Sequence, residues 1–379
     1  MPGFPQNITR RQMLKTAAGL GLLPAIWMTG RFRPSIEERY VSAVGDRETH
    51  YGLGWIDTNR AKQNQVITGV RGHAVLQHPR YPHRLVLIGR RPATESFEID
   101  LDTHQIHQRF QSQPGRHFFG HGVFGREQQV LFTTENETEQ GQGRIVVRDA
   151  DNYRVLDEMP SHGIGPHEIR LMPDGKTLVV ANGGILTHPS SGRKKLNLDR
   201  MQSTLTYIDA ASGQLLEHYA VSESKASIRH IDVSEDGRVA FAMQIQRSAM
   251  NHENTTALGG VHDPGRGMMT FDQPSAVIRR MQDYVGSIAV SSASGIAACT
   301  SPRGNLVAFW RLDDGDFAGY HRLSDVSGVA VSRDQRKFVL SSSRGQIRYL
   351  DAITLSEDSS ARIDYKNLRW DNHLSLAKV

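Results

Sequence analysis

The sequence lacks several features that would define a disulfide-rich, fibrous or membrane-embedded protein. Its single cysteine, Cys299, excludes an intrachain disulfide framework and a thiolate metal cluster. Only 7% of the residues are aromatic, 22% are charged and 38% are hydrophobic, a composition typical of a soluble globular chain. Runs with helical periodicity are nearly absent, and no Rossmann fingerprint, Walker loop or nucleophile elbow occurs. An α/β fold is therefore poorly supported.

The first 30 residues have the layout of an export signal. Arg10 and Arg11 precede Lys15 and the apolar stretch 17–28, which is shorter than the roughly 20 apolar residues of a spanning helix. Paired arginines in this position are typical of the twin-arginine pathway, whereas a buried N-terminal helix is the alternative. We expect a signal peptide over residues 1–30 and a periplasmic mature protein without a membrane span. Cleavage would lower the net charge from +5 to +2, because the segment carries three basic residues and no acidic one. A net charge this small does not indicate nucleic-acid binding, and we expect no nucleic-acid partner.

Six segments repeat one pattern, in which a small residue or a histidine opens an alternating stretch, a turn follows, and a β-prone run ends in polar residues or glycine. They span residues 72–91, 120–136, 166–184, 229–246, 286–304 and 327–345. Asp-Gly pairs at 174–175 and 236–237 lie between alternating apolar residues, which is a β-hairpin signal. Further strand candidates at 143–149, 203–209, 307–311 and 346–351 bring each unit to about four strands, the size of a propeller blade.

The repeat spacing predicts an all-β protein, a seven-bladed β-propeller that forms one domain over residues 40–379. Repeat starts lie 41 to 63 residues apart, and insertions at 185–202 and about 247–283 explain the two longest intervals. We expect a seventh blade from residues 51–58 and 361–376, which would close the ring between the chain ends. Six or eight blades and a two-sheet sandwich are the alternatives, but a sandwich does not predict recurrence at blade spacing.

Histidine opens the first strand of four consecutive units. If the innermost strand of each blade lines the channel, these positions form part of a ring at one level. Neutral imidazole suits iron, copper, zinc and nickel, so we predict a metal site with an iron or copper ion at His73, His121, His167 and His230. The alternative is a structural role, as in the Gly-His pair of WD-type repeats, although the matching Trp-Asp pair is absent. Glu168 directly follows a predicted ligand and would point to the opposite face of a regular strand, as a partner between blades.

The two units without histidine share an arginine position. Arg303 and Arg344 each follow the repeat start by 16 residues, and guanidinium groups bind carboxylate or phosphate in bidentate fashion. The ring would then carry imidazoles on one side and guanidiniums on the other, an arrangement suited to an anionic metal chelate; ion pairs between blades are the alternative. Polar residues that close the second strands add further candidates, namely Asn182 and Gln244 for ligand binding and Glu135 as a carboxylate ligand or catalytic base.

Several of these stretches together resemble the bacterial domain-of-unknown-function 1513 family. The resemblance is carried by GHG at 120–122, TEN at 134–136, GIGPHE at 163–168, ANGG at 181–184, IRH at 228–230, LNLD at 196–199 and SPRG at 301–304. It implies a propeller of the quinoprotein amine dehydrogenase type, with YVTN-like repeats. It also implies a role in iron acquisition, because such proteins are encoded beside imelysin-like periplasmic proteins and a haem-containing oxidoreductase. It implies no established activity.

These residues are compatible with three functions. The first is a monomeric periplasmic propeller that binds a metal ion or an anionic metal chelate in its channel, with imelysin-like iron-uptake proteins as partners. The second is a metal-assisted hydrolase or oxidoreductase that uses Glu135 as the base. The third is a non-catalytic interaction platform that recruits a partner through the insertions at 185–202 and 247–283. Binding is favoured over catalysis, and the sequence does not decide whether a reaction takes place.

Overall fold

Short antiparallel strands form seven four-stranded sheets in a computed structural model, which describes residues 38–57, 62–192, 194–365 and 368–378. The innermost strands of successive sheets adjoin one another around a ring. The predicted all-β, seven-bladed β-propeller is therefore confirmed. The signal peptide predicted over residues 1–30 lies outside the described residues. Within the described part, helices are too short to cross a bilayer.

The strands follow the chain blade by blade. Blade 1 begins with β1 (Glu38–Val44), β2 (Gly52–Asp57) and β3 (Lys62–Ile67). Blade 2 contains β4 (Gly72–Gln77), β5 (Arg84–Gly89), β6 (Glu95–Asp100) and β7 (Gln105–Gln111). Blade 3 contains β8 (Arg116–Phe124), β9 (Val130–Glu137), β10 (Gly143–Asp149) and β11 (Val155–Pro160). Blade 4 contains β12 (Pro166–Leu171), β13 (Thr177–Asn182), β14 (Thr204–Asp209) and β15 (Leu215–Ala220).

The remaining blades follow the same order. Blade 5 contains β16 (Ala226–Val233), β17 (Val239–Ile245), β18 (Gly259–Asp263) and β19 (Gly267–Thr270). Blade 6 contains β20 (Ser287–Ser291), β21 (Ile296–Ser301), β22 (Leu306–Arg311) and β23 (Phe317–Arg322). Blade 7 contains β24 (Val326–Val331), β25 (Lys337–Ser342), β26 (Gln346–Asp351) and β27 (Ile363–Asp364), and β28 (Ser375–Lys378) returns to blade 1.

Helical structure among the described residues is brief. The α-helix α1 spans six residues, Ser275–Arg280. Single 3₁₀ turns occupy Glu48–His50, Pro189–Ser191, Leu198–Arg200, Arg247–Ala249 and Ser359–Ala361. The predicted insertion at 247–283 was partly wrong, because it contains β18 and β19, the two outer strands of blade 5.

The ring closes through pairing of the two ends of the described chain. β28 lies antiparallel to β1, with Val41 opposite Ser375 and Arg39 opposite Ala377, and it occupies the innermost position of blade 1. The prediction that the two chain ends share one blade, now numbered blade 1, is confirmed. Its strand assignment was incomplete, because β1 was not predicted and β27, within the predicted range 361–376, instead pairs with β26 in blade 7.

Burial explains why inner and outer strands have different sequences. β22 (LVAFWR) is covered on both faces, so five of its side chains are buried and apolar, whereas the outer strand β15 (LLEHYA) is largely exposed and mixes polar with apolar residues. Apolar side chains also pack between blades: Ala377 of β28 and Trp55 of β2 lie in one buried cluster with Val75 and Leu85 of blade 2. The closing strand therefore belongs to the core.

We expect Ala377→Asp to destabilise the protein by about 3 kcal/mol, because it buries a carboxylate in that apolar cluster and the residue opposite, Arg39, already pairs with Asp57. Urea unfolding followed by fluorescence measures this loss. Lys378→Asp, at the exposed next position, is the control and should unfold close to the wild-type midpoint. Equal midpoints for Ala377→Asp and wild type would contradict closure by β28.

Candidate functional site

Five imidazoles meet at the channel, one from each of five consecutive blades. They belong to His373 before β28, His73 on β4, His121 on β8, His167 on β12 and His230 on β16. In nine of their ten pairs the ring centroids lie 4.5 to 6.2 Å apart. The four histidines predicted from the repeats, His73, His121, His167 and His230, are therefore brought together. We call these five residues together with Glu168 the histidine centre.

His373 was not predicted, although it connects the other members of the centre. Its Nε2 lies 3.2 Å from Nε2 of His121 and 3.3 Å from Nε2 of His73, and its Nδ1 lies 3.4 Å from Oγ of Ser287. The repeats were aligned on the first strand of each unit, but blade 1 takes its innermost strand from the C-terminus. A histidine two residues before the C-terminal strand was the available signal.

β-Bulges direct the histidine side chains to the axis. The register of the inner strand shifts between Gly72 and Val75, between Phe118 and Gly122, and between Pro166 and Glu168, so that each irregularity contains one of the histidines. A bulge interrupts strict alternation and redirects a side chain. This is why Glu168 also reaches the histidine centre, and why the expectation that it points away from the histidines was wrong.

Gly120 shows how tightly this region packs. Its φ of +109° favours glycine, and a Cβ at this position would lie 2.6 Å from Cδ2 of His73. Gly328 likewise lets the segment before β28 approach closely, because a Cβ at this position would lie 2.9 Å from the backbone nitrogen of Leu374. Both glycines allow main chain to approach the residues of the centre.

Glu168 is a buried carboxylate within the centre. One of its oxygens lies 3.1 Å from Nδ1 of His230 and 3.6 Å from Nε2 of His121, and the other pairs with Arg170 at 2.7 Å. Burial alone would raise the pKa of Glu168, but Arg170 and the other polar neighbours lower it below its ordinary value. Glu168 is therefore ionised, and its expected role as a partner between blades is confirmed by the contact with His230.

Two overlapping groups in the centre could hold a metal ion. One contains Glu168, His230 and His373, the other contains His73 and His167, and His121 belongs to both; within each group the ligand atoms lie within 4.8 Å of one another. The buried Nδ1 atoms of His73, His121 and His167 have no hydrogen-bond partner. Buried polar atoms normally have partners, so these three nitrogens are left at a cost in free energy, and each ring has one nitrogen to offer to a given ion.

The imidazoles of the centre are held neutral. Burial lowers the pKa of His73, His121, His167 and His230 well below the ordinary value of 6.5, and burial together with His230 lowers the pKa of His373 to about 3. A neutral imidazole has a free lone pair, which is the form that binds metal ions. The centre can therefore offer nitrogen ligands and one carboxylate at neutral pH.

A cavity of about 940 Å³ opens onto the centre. Its wall includes His73, His167 and His230. The predicted insertion at 185–202 also lines it, through Ile185, Thr187, His188, Pro189, Gly192 and Lys195. Its other charged side chains are mostly basic, namely Arg71, Arg90, Arg91, Arg229 and Arg303, with Glu48 as the carboxylate among the described lining residues. We call this cavity the cationic mouth.

The structure separates the other predicted site residues into two sets. Arg303 and Gln244 line the cationic mouth as expected. Arg344 does not: it is exposed and lines a separate surface cavity with Gln346 and Asp364.

Asn182 and Glu135 have structural roles within their blades. The Asn182 amide donates to the Ser161 carbonyl at 2.9 Å and to Oγ1 of Thr206 at 3.1 Å. Glu135 forms a buried ion pair with Arg148 and accepts a hydrogen bond from the backbone nitrogen of Gln113. Strand ends in a propeller blade face neighbouring strands as well as the channel, so polarity alone did not reveal which of these side chains reach the centre.

The fold and its centre define this chain as a seven-bladed β-propeller with a histidine-lined channel. It belongs to the family described as "Protein of unknown function (DUF1513)", whose model matches residues 66–377. No curated protein matches the sequence. Among solved structures, Kuenenia stuttgartiensis hydrazine synthase has a similar fold, with a TM-score of 0.62, 13% sequence identity and coverage of 80% of this chain and 90% of that chain.

We expect the metal-free protein to lose stability as the pH falls below about 6.5. The unfolded chain takes up protons on histidines that the folded centre keeps neutral, and each such proton contributes about 1.4 kcal/mol per pH unit. Urea unfolding between about pH 6 and pH 4 measures the slope, to which carboxylates also contribute. His121→Gln/His373→Gln removes two of these histidines, so the slope of the unfolding free energy against pH should fall by the contribution of about two protons. An unchanged slope would show that these imidazoles are charged in the folded protein.

Proposed function

We propose that this protein is a periplasmic metal-binding propeller that holds a transition-metal ion, iron or copper, at the histidine centre and takes part in iron acquisition or handling. The observation that carries the proposal is the convergence of five imidazoles and one carboxylate, in two overlapping groups whose ligand atoms lie within 4.8 Å of one another. The resemblance to proteins encoded beside iron-regulated periplasmic proteins supports iron in particular.

The distances within the centre suit a bound ion. Two atoms that ligate one ion at about 2.1 Å lie roughly 3.0 to 3.4 Å apart in octahedral or tetrahedral geometry. The Nε2 atom of His373 lies 3.2 and 3.3 Å from the corresponding atoms of His121 and His73, which is within this range. One oxygen of Glu168 lies 3.1 Å from Nδ1 of His230, which is also within this range, and 3.6 Å from Nε2 of His121, slightly beyond it.

The chemistry of the ligands limits the kind of ion. Imidazole nitrogen suits iron, copper, zinc and nickel, whereas Cu(I) sites favour thiolate and thioether sulfur. Cys299 lies buried in blade 6, and the candidate groups contain only nitrogen and oxygen donors. Since the imidazoles are neutral and Glu168 carries one negative charge, a divalent ion bound there would retain a net positive charge. An anionic co-ligand in the adjoining mouth would balance that charge.

Metal analysis of purified protein, with one equivalent of Fe²⁺ or Cu²⁺ added under matched buffer conditions, tests the proposal. We expect about one tightly bound ion per chain. His121→Gln should weaken binding by at least about 100-fold, because His121 belongs to both candidate groups and loss of even an outer partner of a ligand costs 10- to 100-fold. His107→Gln, which changes a histidine on the outer strand β7, is the matched control.

Two double variants locate the ion within the centre. His230→Gln/His373→Gln removes two members of the group that contains Glu168, and His73→Gln/His167→Gln removes two members of the other group. The pair that abolishes binding identifies the ligands. Wild-type protein that holds no more metal than His121→Gln would refute the proposal.

Periplasmic location is tested by the arginine pair of the signal. We expect Arg10→Lys/Arg11→Lys to retain the protein in the cytoplasm, because the translocase reads the paired arginines. Cell fractionation with an antibody against the protein measures the distribution. Lys194→Arg, far from the signal in sequence, is the control. Normal export of the double variant would exclude the twin-arginine route.

A further inference from the structure

The cationic mouth carries more positive charge than the nearby carboxylates neutralise. Asp371 pairs with both Arg71 and Arg90, at 2.9 and 3.0 Å. Among the described residues, by contrast, no carboxylate forms an ion pair with Arg229, Lys195 or Arg303. These three basic side chains line the same cavity, so their charges are left to be balanced by something other than a carboxylate of the described chain.

The contacts of these three side chains hold them in the mouth. Arg303 stacks over the Tyr284 ring at 4.5 Å, and Nζ of Lys195 donates to the Gln246 side chain. Nε of Arg229 is buried and has no hydrogen-bond partner. Burial lowers the pKa of Lys195, and Arg229, Arg303 and Arg91 lower it further, which shows that these positive charges lie close together.

The size and the wall of the mouth indicate the kind of anion. A cavity of about 940 Å³ is at the upper end of the range of roughly 300 to 1,000 Å³ that encloses drug-sized organic ligands, and it far exceeds one phosphate or sulfate ion. Phe119, Ile185 and Pro92 add apolar surface to the wall. An organic body that carries several anionic groups would use both the basic and the apolar parts of the wall.

We propose that the cationic mouth binds a small organic polycarboxylate, with its anionic groups against Arg229, Lys195 and Arg303. Guanidinium and ammonium groups form charge-assisted hydrogen bonds with carboxylates, and Arg does so in bidentate fashion. Because the mouth opens onto the histidine centre, a carboxylate could also approach the bound ion. That last part rests on the proposed function, whereas anion binding itself requires no metal.

Calorimetric titration of the metal-free protein with citrate tests this inference. We expect one citrate per chain and an affinity that falls as salt is added, because salt screens exposed charges. Arg303→Gln should lower the affinity about tenfold or more, as expected for the loss of one charge-assisted contact. Arg344→Gln is the matched control, since Arg344 has the same repeat position in the next blade but lies outside the mouth, and it should bind citrate like wild type.

Further titrations decide between this inference and its alternatives. Acetate should bind at least tenfold more weakly than citrate, and inorganic phosphate that binds as tightly as citrate would overturn the assignment to a polycarboxylate. Absence of citrate binding to wild type at millimolar concentration, or equal loss in Arg303→Gln and Arg344→Gln, would overturn the site itself. His121→Gln separates the two proposals: it should abolish metal binding and retain citrate binding. If wild type binds citrate but no metal, this inference stands and the metal site is refuted. If wild type binds metal but no citrate, the metal site stands and this inference is refuted.

Discussion

The packing of five neutral imidazoles around one ionised carboxylate is the arrangement on which the interior of this propeller depends. Four of the imidazoles are buried and that of His167 is partly buried, and three buried ring nitrogens receive no hydrogen bond. Arg170 compensates for the charge of Glu168 and in turn lies 3.7 Å from Asp232 on blade 5. The ion pairs therefore link blades 4 and 5 beside the histidines.

The fold places a rigid polar centre beneath a wider basic entrance. Inner strands with bulges fix the histidines, and the buried apolar strands behind them allow little movement. The entrance, by contrast, is formed by side chains from loops between strands, such as Lys195 and Arg303. Loops on a rigid scaffold commonly carry binding residues. Under the two proposals, strands would select the ion and loops would select its co-ligand.

Periodicity was sufficient to predict the blades and four histidines, because each strand repeats a local pattern that its own residues determine. His373 and β1 were missed because ring closure joins distant parts of the chain, and no local pattern records that pairing. Glu168 was placed on the wrong face because a bulge interrupts alternation. Arg303 and Arg344 share a repeat position, yet only the former lines the mouth, since the loops that follow equivalent strands differ.

The origin of the ligands has a consequence for how the site forms. His73 and His373 are 300 positions apart in sequence and nevertheless have Nε2 atoms 3.3 Å apart. The histidines of the five blades come together only when β28 has docked. A chain still being synthesised therefore cannot assemble the complete centre. If the centre holds an ion as proposed, loading would follow the docking of β28, and the ion would connect the C-terminal segment that carries His373 to the blades that carry the other histidines.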